Sequence, residues 1–193
     1  MNFLAHLHLA HLADSSLLGN LLGDFIRGNP HDAWPEAVAD GILMHRRLDA
    51  MTDALPEVDE AKQLFRGQTR RVAPITLDVV WDHFLARHWQ ELHPQQSLTA
   101  FVDLAEQAIV PHQAGTPEGF IELNAIMWRQ RWLEHYATAD YLAPVLNGMA
   151  HRRPRLSALR DSYDDFITNY AALEQFFFRF YPRLMQLARQ KQL

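Results

Sequence analysis

The segment Pro74 to Leu85 (Pro-Ile-Thr-Leu-Asp-Val-Val-Trp-Asp-His-Phe-Leu) constrains the fold more than any other stretch of this 193-residue chain. Ile75, Leu77, Val79, Val80, Trp81, Phe84 and Leu85 make seven of its twelve side chains large and apolar. Wound as a helix, they point in every direction, and such a helix has to be enclosed by others. The segment predicts a multi-helix bundle with this helix near its centre. Yet it also carries Asp78 and Asp82, four positions apart on one face, and His83 about a quarter-turn away. Two carboxylates in apolar surroundings need compensation from a metal ion, arginines or protons.

The rest of the chain agrees with an all-α fold. Strict apolar alternation is missing, and Leu, Ala, Gln, Glu and Arg dominate. Asn2 can cap a helix to about His11, and Asp14-Ser15 a second one ending at Gly28-Asn29-Pro30. A third is expected from Pro35 to about Ala54, with Pro56 opening a fourth. The central helix should begin near Pro74 and pass Trp89 before Pro94 breaks it. Further helices are expected over 97–109, 118–135, 139–150 and 156–190, the last kinked or divided at Pro182. No linker or repeat divides residues 1–193, so a single helical bundle is expected.

Composition removes several functions. The net charge of −5 lacks the basic excess of a general nucleic-acid binder. The absence of cysteine excludes disulfides, thiolate metal sites and cysteine nucleophiles, and fits a reducing cytosol. No apolar run reaches the ~18 residues of a membrane span, and the N-terminus lacks a signal peptide's basic start. A soluble cytoplasmic protein with no membrane partner is expected.

Oxygen and nitrogen donors recur in apolar settings. His45, Asp49 and Asp53 stand at i, i+4 and i+8, flanked by Arg46 and Arg47, whose planar guanidiniums suit phosphate. Asp24 lies between apolar turns, with Arg27 three positions on, and Gly19 and Gly23 permit close approach of another helix. His8 and His11 can share a face, whereas His6 points elsewhere. This sulfur-free set favours Mn²⁺, Mg²⁺, Fe²⁺ or Zn²⁺, and such an ion can polarise a phosphoryl oxygen and lower the pKa of water. The structural alternatives are salt bridges for the acids, a core role for His45, and packing for His8, His11 and the Phe176–Tyr181 aromatic cluster.

On these residues the sequence resembles the acyl carrier protein phosphodiesterase family along its whole length. The resemblance is carried by Asn2-Phe3-Leu4-Ala5-His6, Gly19-Asn20 through Asp24, and Met44-His45-Arg46-Arg47 through Asp49. Arg71 to Leu85, Val145 to Ala150 and Arg152-Arg153-Pro154-Arg155-Leu156 carry it further. It implies removal of 4′-phosphopantetheine from holo-acyl carrier protein with the help of Mn²⁺, Mg²⁺ or Fe²⁺ being possible substitutes. It also implies a divergent relative of the helical HD phosphohydrolases with rearranged topology, since Asp82-His83 reverses the usual His-Asp order. On this resemblance Asp24, His45, Asp78 and Asp82 are the expected metal ligands. His6, Asp49 and His83 are expected as further ligands, supporting partners or proton donors, and Arg46 as the phosphate clamp. The acidic carrier protein would need a local basic surface on this acidic chain, for which Arg152, Arg153 and Arg155 are candidates. The alternatives are an HD-like phosphohydrolase for nucleotides or another small phosphoester, and a non-catalytic module that binds carrier proteins.

Overall fold

A computed structural model describes residues 1–193 as twelve α-helices joined by short turns, several of them 3-10, without a strand. In chain order these are α1 (Phe3–Leu12), α2 (Leu17–Leu22), α3 (Glu36–Asp53), α4 (Pro56–Lys62), α5 (Ala73–Arg87) and α6 (Trp89–Leu92). They are followed by α7 (Leu98–Ile109), α8 (Glu118–Arg129), α9 (Trp132–His135), α10 (Leu142–Arg152), α11 (Ser162–Thr168) and α12 (Tyr170–Arg189). As its all-round apolar surface requires, α5 lies in the middle, packed by α1, α4, α9, α10, α11 and α12. Trp81, Phe84 and Leu85 are sealed from solvent there. One cluster of 41 buried residues runs from Met1 to Ala188 and joins both ends of the chain in a common core.

Three long expected helices are broken by particular residues. The 118–135 segment divides at Arg131, whose φ of 52° is left-handed. That conformation is held by the guanidinium, which binds Asp103 at 2.7 Å and Glu134 at 2.8 Å. The last segment divides at Asn169, whose backbone leaves the helical region (φ −107°, ψ 16°) and whose side-chain amide donates to the Asp165 carbonyl at 2.8 Å. Pro182, the expected break point, lies inside the continuous α12. Its lost hydrogen bond is outweighed by the burial of Phe177, Phe180, Tyr181, Leu184 and Met185 on one face. The central helix stops at His88, so Trp89 belongs to the separate α6. α2 is shorter than expected, capped by Ser16 and finished at Gly23.

The start of α1 is held from outside its own segment. Asn2 occupies the cap position, but its amide donates to the Tyr136 hydroxyl at 3.2 Å and caps nothing. The N–H groups of Leu4 and Ala5 donate instead to the two carboxylate oxygens of Asp82, at 2.8 and 2.9 Å. α1 is thereby fixed against α5, which places His6.

Candidate active site

The site is built on a close crossing of α2 and α3. Gly19 lies against Gly41, and a side chain at Gly19 would run into the Val38 carbonyl. One turn on, a side-chain carbon at Gly23 would overlap the His45 ring. Glycine at both positions lets α3 press His45 into the end of α2. There the His45 Nδ1–H donates to the Asn20 carbonyl at 2.7 Å. That bond fixes the ring and leaves Nε2 facing Asp49 Oδ2 at 3.2 Å and Asp24 Oδ1 at 3.4 Å.

From α1 the His6 ring stacks on His45, with centroids 3.8 Å apart and planes inclined by 15°. Its Nε2 lies 3.1 Å from Asp49 Oδ1. The same oxygen accepts from the Met1 amine at 3.0 Å, and the amine lies 2.9 Å from Asp78 Oδ1. Four helical regions thus meet: α1 through His6, the end of α2 through Asp24, α3 through His45 and Asp49, and α5 through Asp78.

The electrostatics of this cluster are one-sided. Burial lowers the basicity of His6, to about 4, which leaves the ring neutral. Burial acts the same way on His45, but Asp24 and Asp49 outweigh it and raise that ring to about 9. Asp49 is held well below the usual carboxylate range: its burial is overcome by His45, His6 and the Met1 amine. The nearness of the His45 ring also lowers Asp24. Two buried ring nitrogens, His45 Nε2 and His6 Nδ1, have no hydrogen-bond partner.

These features fit a divalent cation. Ligand atoms of His6, His45 and Asp49 all lie within 4.8 Å of one another, so one ion could engage all three. An unpartnered imidazole nitrogen between two carboxylates is a place for a proton or a metal. The donors are nitrogen and oxygen, the set suited to Mn²⁺, Mg²⁺, Fe²⁺ or Zn²⁺.

The expected residues separate into groups. Asp24, His45, His6 and Asp49 come together, and Asp78 joins them through the Met1 amine. Asp82 does not share that knot. It is fully buried, and both its oxygens are engaged by the start of α1, so its place is that of an anchor. Burial pushes its carboxyl up to about 7, against the pull of the two N–H donors. His83 is turned away altogether. Its Nδ1 meets the Tyr136 carbonyl at 2.7 Å and its Nε2 the Tyr170 hydroxyl at 2.8 Å, so both ring nitrogens are engaged away from the cluster.

Arg46 also departs from expectation as a free phosphate clamp. Its guanidinium donates to the carbonyls of Gly28 at 2.8 Å and Ile26 at 2.7 Å, bracing the loop that follows Asp24. The cation that loop presents is Arg27, exposed and without an ion pair, so the alternative Asp24–Arg27 surface pair does not form. The only sequence signal for Arg27 is its position three residues after Asp24. His8 lies apart, between Tyr181 at 2.9 Å and His93 at 3.2 Å, in the packing role considered for it.

Two cavities open on the cluster. The smaller one, about 440 Å³, is walled by Asp24, Arg27, His45, Arg46 and Asp49. The larger, about 720 Å³, begins at Asp24, Arg27 and Asp78 and extends under α10. Arg152 and Arg153, both exposed, lie on its wall; Arg155 is exposed on the turn beyond and does not reach it.

Comparison with known proteins shows the family. No solved structure matches the chain. It is 61% identical over its full 193 residues to the acyl carrier protein phosphodiesterase of Klebsiella pneumoniae strain 342, all of which is covered. The same identity and full mutual coverage hold for that of Enterobacter sp. strain 638, and 58% identity for that of Salmonella heidelberg strain SL476. With the family's sequence model matching residues 1–184 as well, the chain belongs to the acyl carrier protein phosphodiesterase family.

Proposed function

We propose that this chain hydrolyses the phosphodiester between 4′-phosphopantetheine and a serine of holo-acyl carrier protein, giving apo-carrier protein and free 4′-phosphopantetheine. The observation that carries the reading is the meeting of His6, His45, Asp24 and Asp49 beside two cavities, with two ring nitrogens unpartnered, in a chain of this family.

His45, His6 and Asp49 would hold a divalent cation, with Asp24 at its open side and Mn²⁺ the first choice. Such an ion supplies Lewis-acid polarisation of a phosphoryl oxygen and acidifies water. The chain's own residues do the positioning. Asn20 fixes the His45 ring, and stacking fixes His6 against it. Asp24 is exposed and stays ionised, so it can orient the attacking water by accepting its hydrogen bond. Arg27, on the wall shared by both cavities, offsets charge growing on the phosphoryl oxygens. Hydrolysis forms a bond from the water oxygen to phosphorus and breaks the bond from phosphorus to the serine oxygen, which leaves with a proton.

The test is incubation of the protein with holo-carrier protein and Mn²⁺, with mass spectrometry following loss of the prosthetic arm. His45→Ala and Asp49→Asn are expected to abolish both the reaction and tight Mn²⁺ binding. Wild-type protein that leaves the arm in place, beside a nucleotide panel that it does cleave, would assign it another phosphoester.

A further inference from the structure

The larger cavity is not explained by the hydrolytic residues. It shares Asp24 and Arg27 with the smaller one, so both cavities reach the two side chains to which the proposed reaction assigns the water and the phosphate. From there it continues along Phe25, Tyr136, Val145 and Met149, beneath α10. Its volume of about 720 Å³ lies inside the range of roughly 300–1,000 Å³ that holds small molecules, and a folded carrier domain could not enter it. The wall is mixed. Twelve of its 21 lining residues are hydrophobic, and the side-chain amides of Asn2 and Gln130 are among the rest. Arg27 stands where the cavities join, and Arg152 and Arg153 add positive charge along the wall.

Resting on the function proposed above, we infer that this cavity seats the pantetheine arm of the substrate, with the phosphate at Arg27 and the arm running under α10. The arm matches the wall in kind. It is a narrow chain in which methyl and methylene groups alternate with two amides, ending in an anionic phosphate. Apolar stretches face Phe25, Val145 and Met149, while the amides of the arm meet Asn2 Oδ1 and Gln130 Nε2, the ends of those side chains that Tyr136 and Trp132 do not engage. The enzyme then recognises the arm itself as well as the protein that bears it. The released product keeps affinity for the same place.

Gly148 gives a clean way to block the cavity. It lies on the wall in the middle of α10, and a side-chain carbon there would meet only the tip of Arg152, at 3.6 Å. A side-chain carbon can therefore be added there without backbone conflict, and a tryptophan takes up part of the cavity. Binding of free 4′-phosphopantetheine is measured by calorimetry on the Mn²⁺-loaded wild type, Gly148→Ala and Gly148→Trp, with inorganic phosphate as a parallel probe. Thermal melts check that each variant is folded. The expected result is binding by wild type and Gly148→Ala, at least tenfold weaker binding by Gly148→Trp, and phosphate binding nearly equal in all three. A fall of tenfold or more in kcat/KM for holo-carrier protein should accompany the tryptophan. Equal phosphopantetheine affinity in wild type and Gly148→Trp overturns the cavity assignment even if holo-carrier protein is cleaved. Phosphate binding as tightly as phosphopantetheine also overturns it, since the arm would then add nothing. Gly148-dependent phosphopantetheine binding in a protein that fails to cleave holo-carrier protein upholds the cavity and rejects the hydrolytic reading.

Discussion

Asp82 Oδ2 accepts the backbone N–H of Leu4 at 2.8 Å across 78 positions of sequence, with the second oxygen taking the N–H of Ala5. A side chain of the central helix does the work that a local cap does in most helices. Asp82→Ala leaves two buried N–H groups without acceptors, at a cost of about 2 kcal/mol. Urea melts should show that loss. Because α1 carries His6, the variant should also bind Mn²⁺ more weakly than its stability alone explains. Unchanged melts would mean that α1 needs no anchor on α5.

Gly23 and His45 are in a similar relationship of contact. Gly23→Ala would push the ring away from Asp49 and Asp24, or force α2 and α3 apart. The expected outcome is a loss of about 1–3 kcal/mol in stability. A drop of tenfold or more in Mn²⁺ affinity should come with it, read by titration on protein shown by circular dichroism to be folded. Metal affinity equal to that of wild type would remove His45 from the ligand set.

His83 makes a prediction about acid. Burial lowers its pKa from 6.5 to about 4 in the folded chain. The unfolded chain therefore takes up a proton at a higher pH than the folded one does. The stability this ring contributes is complete above pH 6.5 and declines as pH falls from 6.5 towards 4, by at most about 3 kcal/mol. Denaturation of wild type and His83→Gln at pH 7 and pH 5 should give the variant the shallower loss. Activity per folded molecule should survive better in His83→Gln than in any variant of His45. Parallel pH curves for the two proteins would show that His83 is not the titrating group.

Arg152 and Arg153 are exposed at the cavity wall, where the arm placement proposed above would bring an acidic carrier protein. Replacing both by Glu should raise KM for holo-carrier protein severalfold, most at low ionic strength, and leave Mn²⁺ affinity alone. A KM indifferent to both the substitutions and salt would move the docking surface elsewhere on the enzyme.

The amino-acid sequence by itself determined the helical class and the central place of α5, because a helix apolar on every side has to be surrounded. It also marked His45 and Asp49 as neighbours, since four residues make one turn and a little more. What it could not decide was how far-separated segments share their polar groups. Asp78 and Asp82 look alike along α5, yet one meets the Met1 amine beside the cluster and the other holds the start of α1. His83 and Arg46 have the right chemistry for catalysis, but Tyr136 and Tyr170 occupy the first and the loop carbonyls of Ile26 and Gly28 the second. Local spacing fixes which face of its own helix a side chain occupies. Only the packing of α1, α2, α3 and α5 decides which donors find partners and which nitrogens are left without one.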